Sequence, residues 1–194
     1  MEINLLDKRD VMDKNNFELI KQKLGNIVYS HKTHEKAIER KIRYLSFIKW
    51  GNIFLVGSIL LILVLQLLFP KEKIFLYGGI GLTILEFIFV LIQLNFDFSR
   101  DIREHRIVAN KLWLVREKYL NLLTDIKNDS LSDKKIMEIR NELDEKVSKI
   151  YENAPQTSPK DYNRAEKALN SNEKPKADDE ELNAFLPNHL KEQQ

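Results

Sequence analysis

The chain has 194 residues, with 31 Lys and Arg against 29 Asp and Glu, and no Cys. The two signs are interspersed, with no basic arm or acidic tail, so nucleic acid is not an expected partner, and the lack of cysteine excludes a disulfide framework, thiol chemistry and thiolate metal sites. A mean hydropathy of −0.37 suggests a soluble protein only because it averages an apolar stretch that carries almost no charge with polar flanks that carry nearly all of it.

Residues 1–16 (MEINLLDKRDVMDKNN) have neither the apolar core nor the small-residue cleavage site of a signal peptide, so insertion into a membrane is expected to start further along. Residues 1–14 read as a flexible N-terminus. Asn15, with Glu18 three residues on, is the expected N-cap of a first helix. Phe17, Ile20, Leu24, Ile27/Val28, His31, His34/Glu35, Ile38, Ile42 and Leu45 then recur in threes and fours with no proline to stop them. Residues 15–50 are thus a cytosolic helix leading into the membrane, with Gly25 its weakest point. His31 and His34 lie three apart on the apolar-leaning face, but no carboxylate or cysteine completes an obvious ligand spacing. The pair reads as seam histidines that hydrogen-bond across a helix contact rather than as a metal site.

Residues 51–69 (GNIFLVGSILLILVLQLLF) and 74–94 (IFLYGGIGLTILEFIFVLIQL) are the two apolar runs. At 1.5 Å rise per residue they span roughly 28 and 31 Å, about the hydrocarbon thickness of a bilayer. Pro70-Lys71-Glu72-Lys73 separates them and opens with a helix breaker. Residues 51–94 are therefore a transmembrane helical hairpin; the competing reading, two core helices of a soluble protein, needs more apolar chain around them than the flanks supply. Lys32, Lys36, Arg40, Lys41, Arg43 and Lys49 precede the first span and Arg100, Arg103, Arg106 and Lys111 follow the second, against Lys71 and Lys73 in the loop. This bias predicts both termini in the cytoplasm.

Residues 99–169 form a second cytosolic helical region. Ile102, Ala109, Leu112/Trp113, Tyr119/Leu120, Leu123 and Ile126 give a helix over 99–127, which Asn128-Asp129-Ser130 breaks. Ser132 caps a further helix over 132–153, carrying Ile136, Ile139, Leu143, Val147 and Ile150. Pro155 ends it, and Ser158-Pro159-Lys160-Asp161 starts the next, with Ser158 as N-cap, Pro159 at the first helical position and Asp161 at capping-box spacing. Residues 170–194 read as a flexible tail whose segment 180–190 holds Leu182, Phe185, Leu186 and Leu190, a short apolar docking element. The fold class is an all-α membrane protein: a two-helix hairpin with cytosolic helices on both sides packed as a small bundle, or alternatively as a coiled-coil stalk between subunits.

Nothing points to an enzyme. Gly78-Gly79-Ile80-Gly81 lies inside an apolar span, where it permits close helix packing and is no phosphate loop, and no cofactor motif is present. The polar residues of the second span are the candidate functional positions. Gly79, Thr83, Glu86, Val90, Gln93 and Asp97 fall on one helix face. With Glu72 as the turning point, Glu86 and Ser58 lie equally far into the two spans. These residues either line a pore, with Glu86 forming a ring of carboxylates, or act as hydrogen-bonding glue between helices. A single hairpin encloses no water path, so pore formation requires a homo-oligomer.

The order of motifs resembles a known family. Tyr29-Ser30-His31-Lys32-Thr33-His34-Glu35-Lys36-Ala37 precedes the hairpin; His105, then Leu112-Trp113-Leu114-Val115-Arg116-Glu117-Lys118-Tyr119, and later Ile150-Tyr151-Glu152-Asn153-Ala154-Pro155-Gln156-Thr157-Ser158-Pro159, follow it. This resembles the SLATT family of two-transmembrane effectors, associated with nucleotide second-messenger synthetases (SMODS) or nucleotide-sensing SLOG domains. The resemblance covers roughly residues 15–170, with a further echo at Phe185-Leu186-Pro187. It implies a pore-forming effector of bacterial anti-phage conflict that acts on the inner membrane, with a separate partner supplying the signal and no catalytic residues. The alternative function is a membrane-anchored helical adaptor without pore activity; a phage-type holin is a weaker third, since holins rarely carry so large a cytosolic part.

Overall fold

The structure, a computed structural model, describes residues 3–95 and 97–171, with side chains from residue 16 onward. Five helices follow in order: α1 (Ile3–Leu68), α2 (Lys73–Asn95), α3 (Phe98–Lys127), α4 (Asp133–Glu152) and α5 (Pro159–Asn170), and no strand is present among the described residues. α1 is one unbroken helix of 66 residues, about 100 Å long, that runs from the bundle through the first span. It passes Gly25 without interruption, as expected. It also begins at Ile3, so Asn15 lies within the helix and does not cap it; neither proline nor glycine occurs before Gly25 to end it earlier. The apolar docking segment in 180–190, including Phe185-Leu186-Pro187, lies outside the described residues.

The hairpin turns where the proline sits. Phe69 accepts a 3.0 Å bond from the Glu72 amide, which places Pro70 at the second position of a tight turn, where its fixed φ is favourable. α1 and α2 then pack antiparallel through one narrow seam, leaving the rest of both surfaces exposed. In the most apolar window of the first span none of the residues is buried inside the protein, and in the second 6% are. Core helices of a soluble protein would be covered by their own chain; these cover each other only along the seam, and only hydrocarbon suits the rest of such a surface. The two helices are membrane spans.

Beyond the membrane, α3 and α4 fold back along α1. Asp97 caps α3 by accepting from the Arg100 amide at 2.9 Å. At the other end the Ser130 amide reaches the Asp125 carbonyl at 3.0 Å and the Asp129 amide the Ile126 carbonyl at 3.1 Å, with Asp129 left-handed at φ 50°. That is a Schellman stop with an aspartate where glycine is usual. Ser132 is the N-cap of α4, as its sequence predicts, but its hydroxyl makes no capping bond. Ser158 does cap α5, and both bonds of the capping box with Asp161 are formed.

The core of the bundle is Ile20 and Ile27 from α1, Val108, Leu112, Val115, Tyr119 and Leu122 from α3, and Ile136, Leu143 and Ile150 from α4. Asp144 ties the three helices at one point, accepting from the fully buried Tyr119 hydroxyl at 2.8 Å and from Lys23 at 2.5 Å. α5 packs on the other side of α1. It covers Ala37 with Ala165, Ala168 and Leu169 nearby in the core, which explains why Thr33, Lys36 and Ala37 are buried although none belongs to the seam read from periodicity.

Candidate functional site

Two polar constellations stand out from this framework. The first lies within the hairpin. Facing α1, the half-buried positions of α2 are Phe75, Gly79, Leu82, Glu86, Phe89 and Gln93, spaced alternately by four and three as in a coiled-coil seam. Gly79, Glu86 and Gln93 therefore share the contact, whereas Thr83 and Val90 turn outward and are exposed, and Asp97 leaves the face to cap α3. The contact face is as wide as the face read from the sequence but turned from it by about 40°, toward Leu82 and Phe89. From α1, Asn52, Ser58 and Gln66 point to the same seam.

Two glycines set its register. A Cβ on Gly51 would meet the Phe89 ring at 3.2 Å, and one on Gly79 would meet Ile62 at 3.2 Å. By that pairing Glu86 is level with Phe54 and Leu55, and Ser58 lies about one turn nearer the loop. The equal-depth placement of Ser58 and Glu86 is thus off by a turn, because the chain reverses at Pro70-Lys71 and not at Glu72. The Ser58 hydroxyl donates to the Phe54 carbonyl at 2.8 Å and that of Thr83 to the Gly79 carbonyl at 2.8 Å, the local solution open to hydroxyls in a helix. Glu86 Oε2, Gln93 Nε2, Asn52 Oδ1 and Gln66 Oε1 are buried with no hydrogen-bond partner among the described residues.

The second constellation is a polar layer on the membrane side of the bundle core. Asp161, fully buried, takes a two-pronged bond from Arg40, Nε to Oδ1 at 2.8 Å and Nη2 to Oδ2 at 2.8 Å, while the Ser158 amide and hydroxyl donate to Oδ2 at 3.0 and 2.8 Å. Burial opposes its ionisation, but the bonds from Arg40 and Ser158 outweigh it and hold the carboxyl at about 2. Next to it, His34 and His105 meet through their Nδ1 atoms at 2.8 Å, and Lys41 pairs with Asp101. One imidazole must donate and the other accept, so at least one is neutral. His34 thus does bond across the seam, as the sequence suggests; its neighbour His31 instead tilts against Trp113 at 5.5 Å. Among the described residues no group of three or more His, Cys, Asp or Glu converges as metal ligands would.

A cleft of about 740 Å³ between α1 and the α4–α5 linker, lined among others by Tyr29, Ser30, Thr33, Tyr151 and Tyr162, reaches His34 and opens to solvent. Burial, with His105 and His31 adding to it, pulls the His34 imidazole down to about 4, and burial, with Lys41 and Arg40, also lowers His105 against the pull of Asp101 and Asp161. Both groups protonate less readily folded than unfolded, where about 6.5 is usual. Their stabilising share is whole above that value and is lost as pH falls from 6.5 toward 4. Thermal melts of the bundle are expected to weaken over that window, by at most about 3 kcal/mol for His34, and a His34→Gln/His105→Gln variant should show a flatter pH profile.

Geometry alone defines a class: a two-span helical membrane protein whose first span is continuous with a compact extramembrane bundle, and whose buried polar groups lie in the span seam and in the layer beside it. Within that class, the chain belongs to the family described as SMODS and SLOG-associating 2TM effector domain, family 4, whose model matches residues 17–181. No curated protein and no solved structure matches it. The match takes in α2 to α5 whole and most of α1, so the hairpin, the histidine pair and the Arg40–Asp161 latch all lie within the family domain. Periodicity placed His34 in the seam without showing that His105 is its partner, and for the latch the only visible signal was the capping-box aspartate, whose second role is set by Arg40 far away in sequence.

Proposed function

We propose that the protein is a homo-oligomeric, pore-forming effector of the bacterial inner membrane, without catalytic activity, with both termini in the cytoplasm and a separate partner supplying the trigger. Membership of a family named for its association with SMODS and SLOG supports an effector role beside a nucleotide-signalling partner in anti-phage conflict. The observation that carries pore formation is the hairpin seam. Four buried polar atoms, on Asn52, Gln66, Glu86 and Gln93, have no hydrogen-bond partner among the described residues, in a medium where each unpaired group is costly. A second arrangement that hydrates them gains those bonds back. If assembled hairpins rotate the seam toward a shared axis, the same atoms line a water path and Glu86 supplies a ring of acidic groups.

Ion flux in liposomes containing the purified protein tests this reading. Dye-reported cation flux is expected, together with cross-linked species above the monomer; a protein that stays tight and monomeric under every trigger tried is a tether for its bundle. Orientation has its own test in intact cells. A cysteine at Glu72 should react with an impermeant thiol reagent from outside, and one at the exposed Asn163 only after lysis; the reverse pattern would invert the topology.

A further inference from the structure

Between α1 and α3 runs a groove of about 250 Å³, lined by Val28, His31, Lys32 and Glu35, by Trp113 and Arg116, and by Leu169 at the end of α5. It is smaller than the roughly 300–1,000 Å³ of small-molecule sites and suits protein side chains instead. Its aromatic floor is the Trp113 ring, with the Arg116 guanidinium 4.5 Å from its centre and the residue as a whole 42% exposed. Charge is layered across it. The Lys32 and Arg116 side chains are 16% and 12% exposed, against 40% and 46% for their acidic partners Glu35 and Glu117, and Lys36, one turn along α1, is 8% exposed against 49% for Glu39. Cations therefore sit deep and acids at the rim; each cation already holds an acidic partner, so an acidic group arriving here engages them by exchange with the more exposed Glu35, Glu39 and Glu117.

Leu169 lies two positions before the last described residue, Ser171, and the sequence beyond carries Asp178-Asp179-Glu180-Glu181 followed by Leu182, Phe185 and Leu186. The seven steps from Ser171 to Asp178 reach up to about 25 Å, enough to turn back from α5 onto the groove. We propose that residues 178–190 dock in this groove of their own chain, the acidic run against Lys32, Lys36 and Arg116 and an apolar side chain of 182–186 over Trp113. Such a strap joins the end of the effector domain to both α1 and α3, independently of whether the hairpin conducts.

The natural chain has no cysteine, so an introduced pair reports alone. In full-length protein, Val28→Cys is combined in turn with Leu182→Cys, Phe185→Cys and Leu186→Cys and mildly oxidised. At least one pair is expected to close within a single chain, seen at monomer mass, and to be lost when Asp178, Asp179, Glu180 and Glu181 are replaced by Asn and Gln. In a Trp50→Phe background Trp113 is the sole tryptophan, and truncation before Asp178 is expected to shift its emission to the red and speed its quenching by iodide. Three pairs without an intrachain disulfide, disulfides formed only between chains, or Trp113 emission indifferent to the truncation would each overturn the proposal.

Discussion

Replacing Asp161 with alanine is expected to destabilise the bundle by about 3–5 kcal/mol, the usual cost of leaving a desolvated charge without its partner. Arg40 would lose both prongs of its bond, and Ser158 would lose two acceptor contacts and its capping box. In thermal melts followed by helix circular dichroism this is a drop of roughly 10–20 °C. Arg40→Met combined with Asp161→Leu removes both charges and is expected to recover much of the loss, since apolar replacement of a buried pair is often near neutral. A Tm that Asp161→Ala leaves within a few degrees of the parent would mean the latch contributes little. α5 would be the first element released, because its described helix contacts are to α1.

The hairpin makes the second large prediction. Glu86→Gln keeps the hydrogen-bonding atoms and cannot carry charge. If Glu86 lines a conducting path, this variant should assemble normally yet lose most of its cation preference, its permeability ratio approaching one in bi-ionic liposome recordings. Glu86→Leu should assemble and conduct poorly. Should the acid serve only as glue along the seam it shares with Leu55 and Gln93, Glu86→Gln would conduct unchanged and Glu86→Leu would impair assembly, an effect of about 1 kcal/mol per contact. Unaltered flux and selectivity in both variants would remove Glu86 from the path and leave the seam a packing surface.

What the sequence made legible follows from how strongly each medium constrains the chain. Hydrocarbon admits few solutions, so two apolar runs around Pro70 sufficed to place the hairpin. Local chemistry was equally readable where one residue decides: Pro159 and Ser158 start α5, and Asn128-Asp129-Ser130 ends α3. The fine register was not, because the four-residue connection hides where the reversal begins, and a shift of the turning point from Glu72 to Pro70-Lys71 moves Ser58 past Glu86 by a turn. Pairings across long separations were invisible for a different reason. Arg40 and Asp161 are 121 positions apart and His34 and His105 are 71 apart, and periodicity says which face is buried but not what it meets. It also presumes one buried face, whereas α1 beyond residue 31 is covered from two sides, by α3 and by α5.

Because α1 carries the bundle seam and the membrane seam on a single helix, the stretch between Lys41 and Gly51 acts as a phase-setting spacer. Each added residue would turn one face against the other by about 100°, so an insertion there would swing Asn52 and Ser58 out of the hairpin even with every contact of the bundle kept. Seven residues at once would nearly restore the alignment. The connection at 69–72 carries no such constraint. Length variation among relatives should therefore be free in the loop and quantised in the spacer, a pattern of gaps that marks where torque passes from the bundle into the membrane.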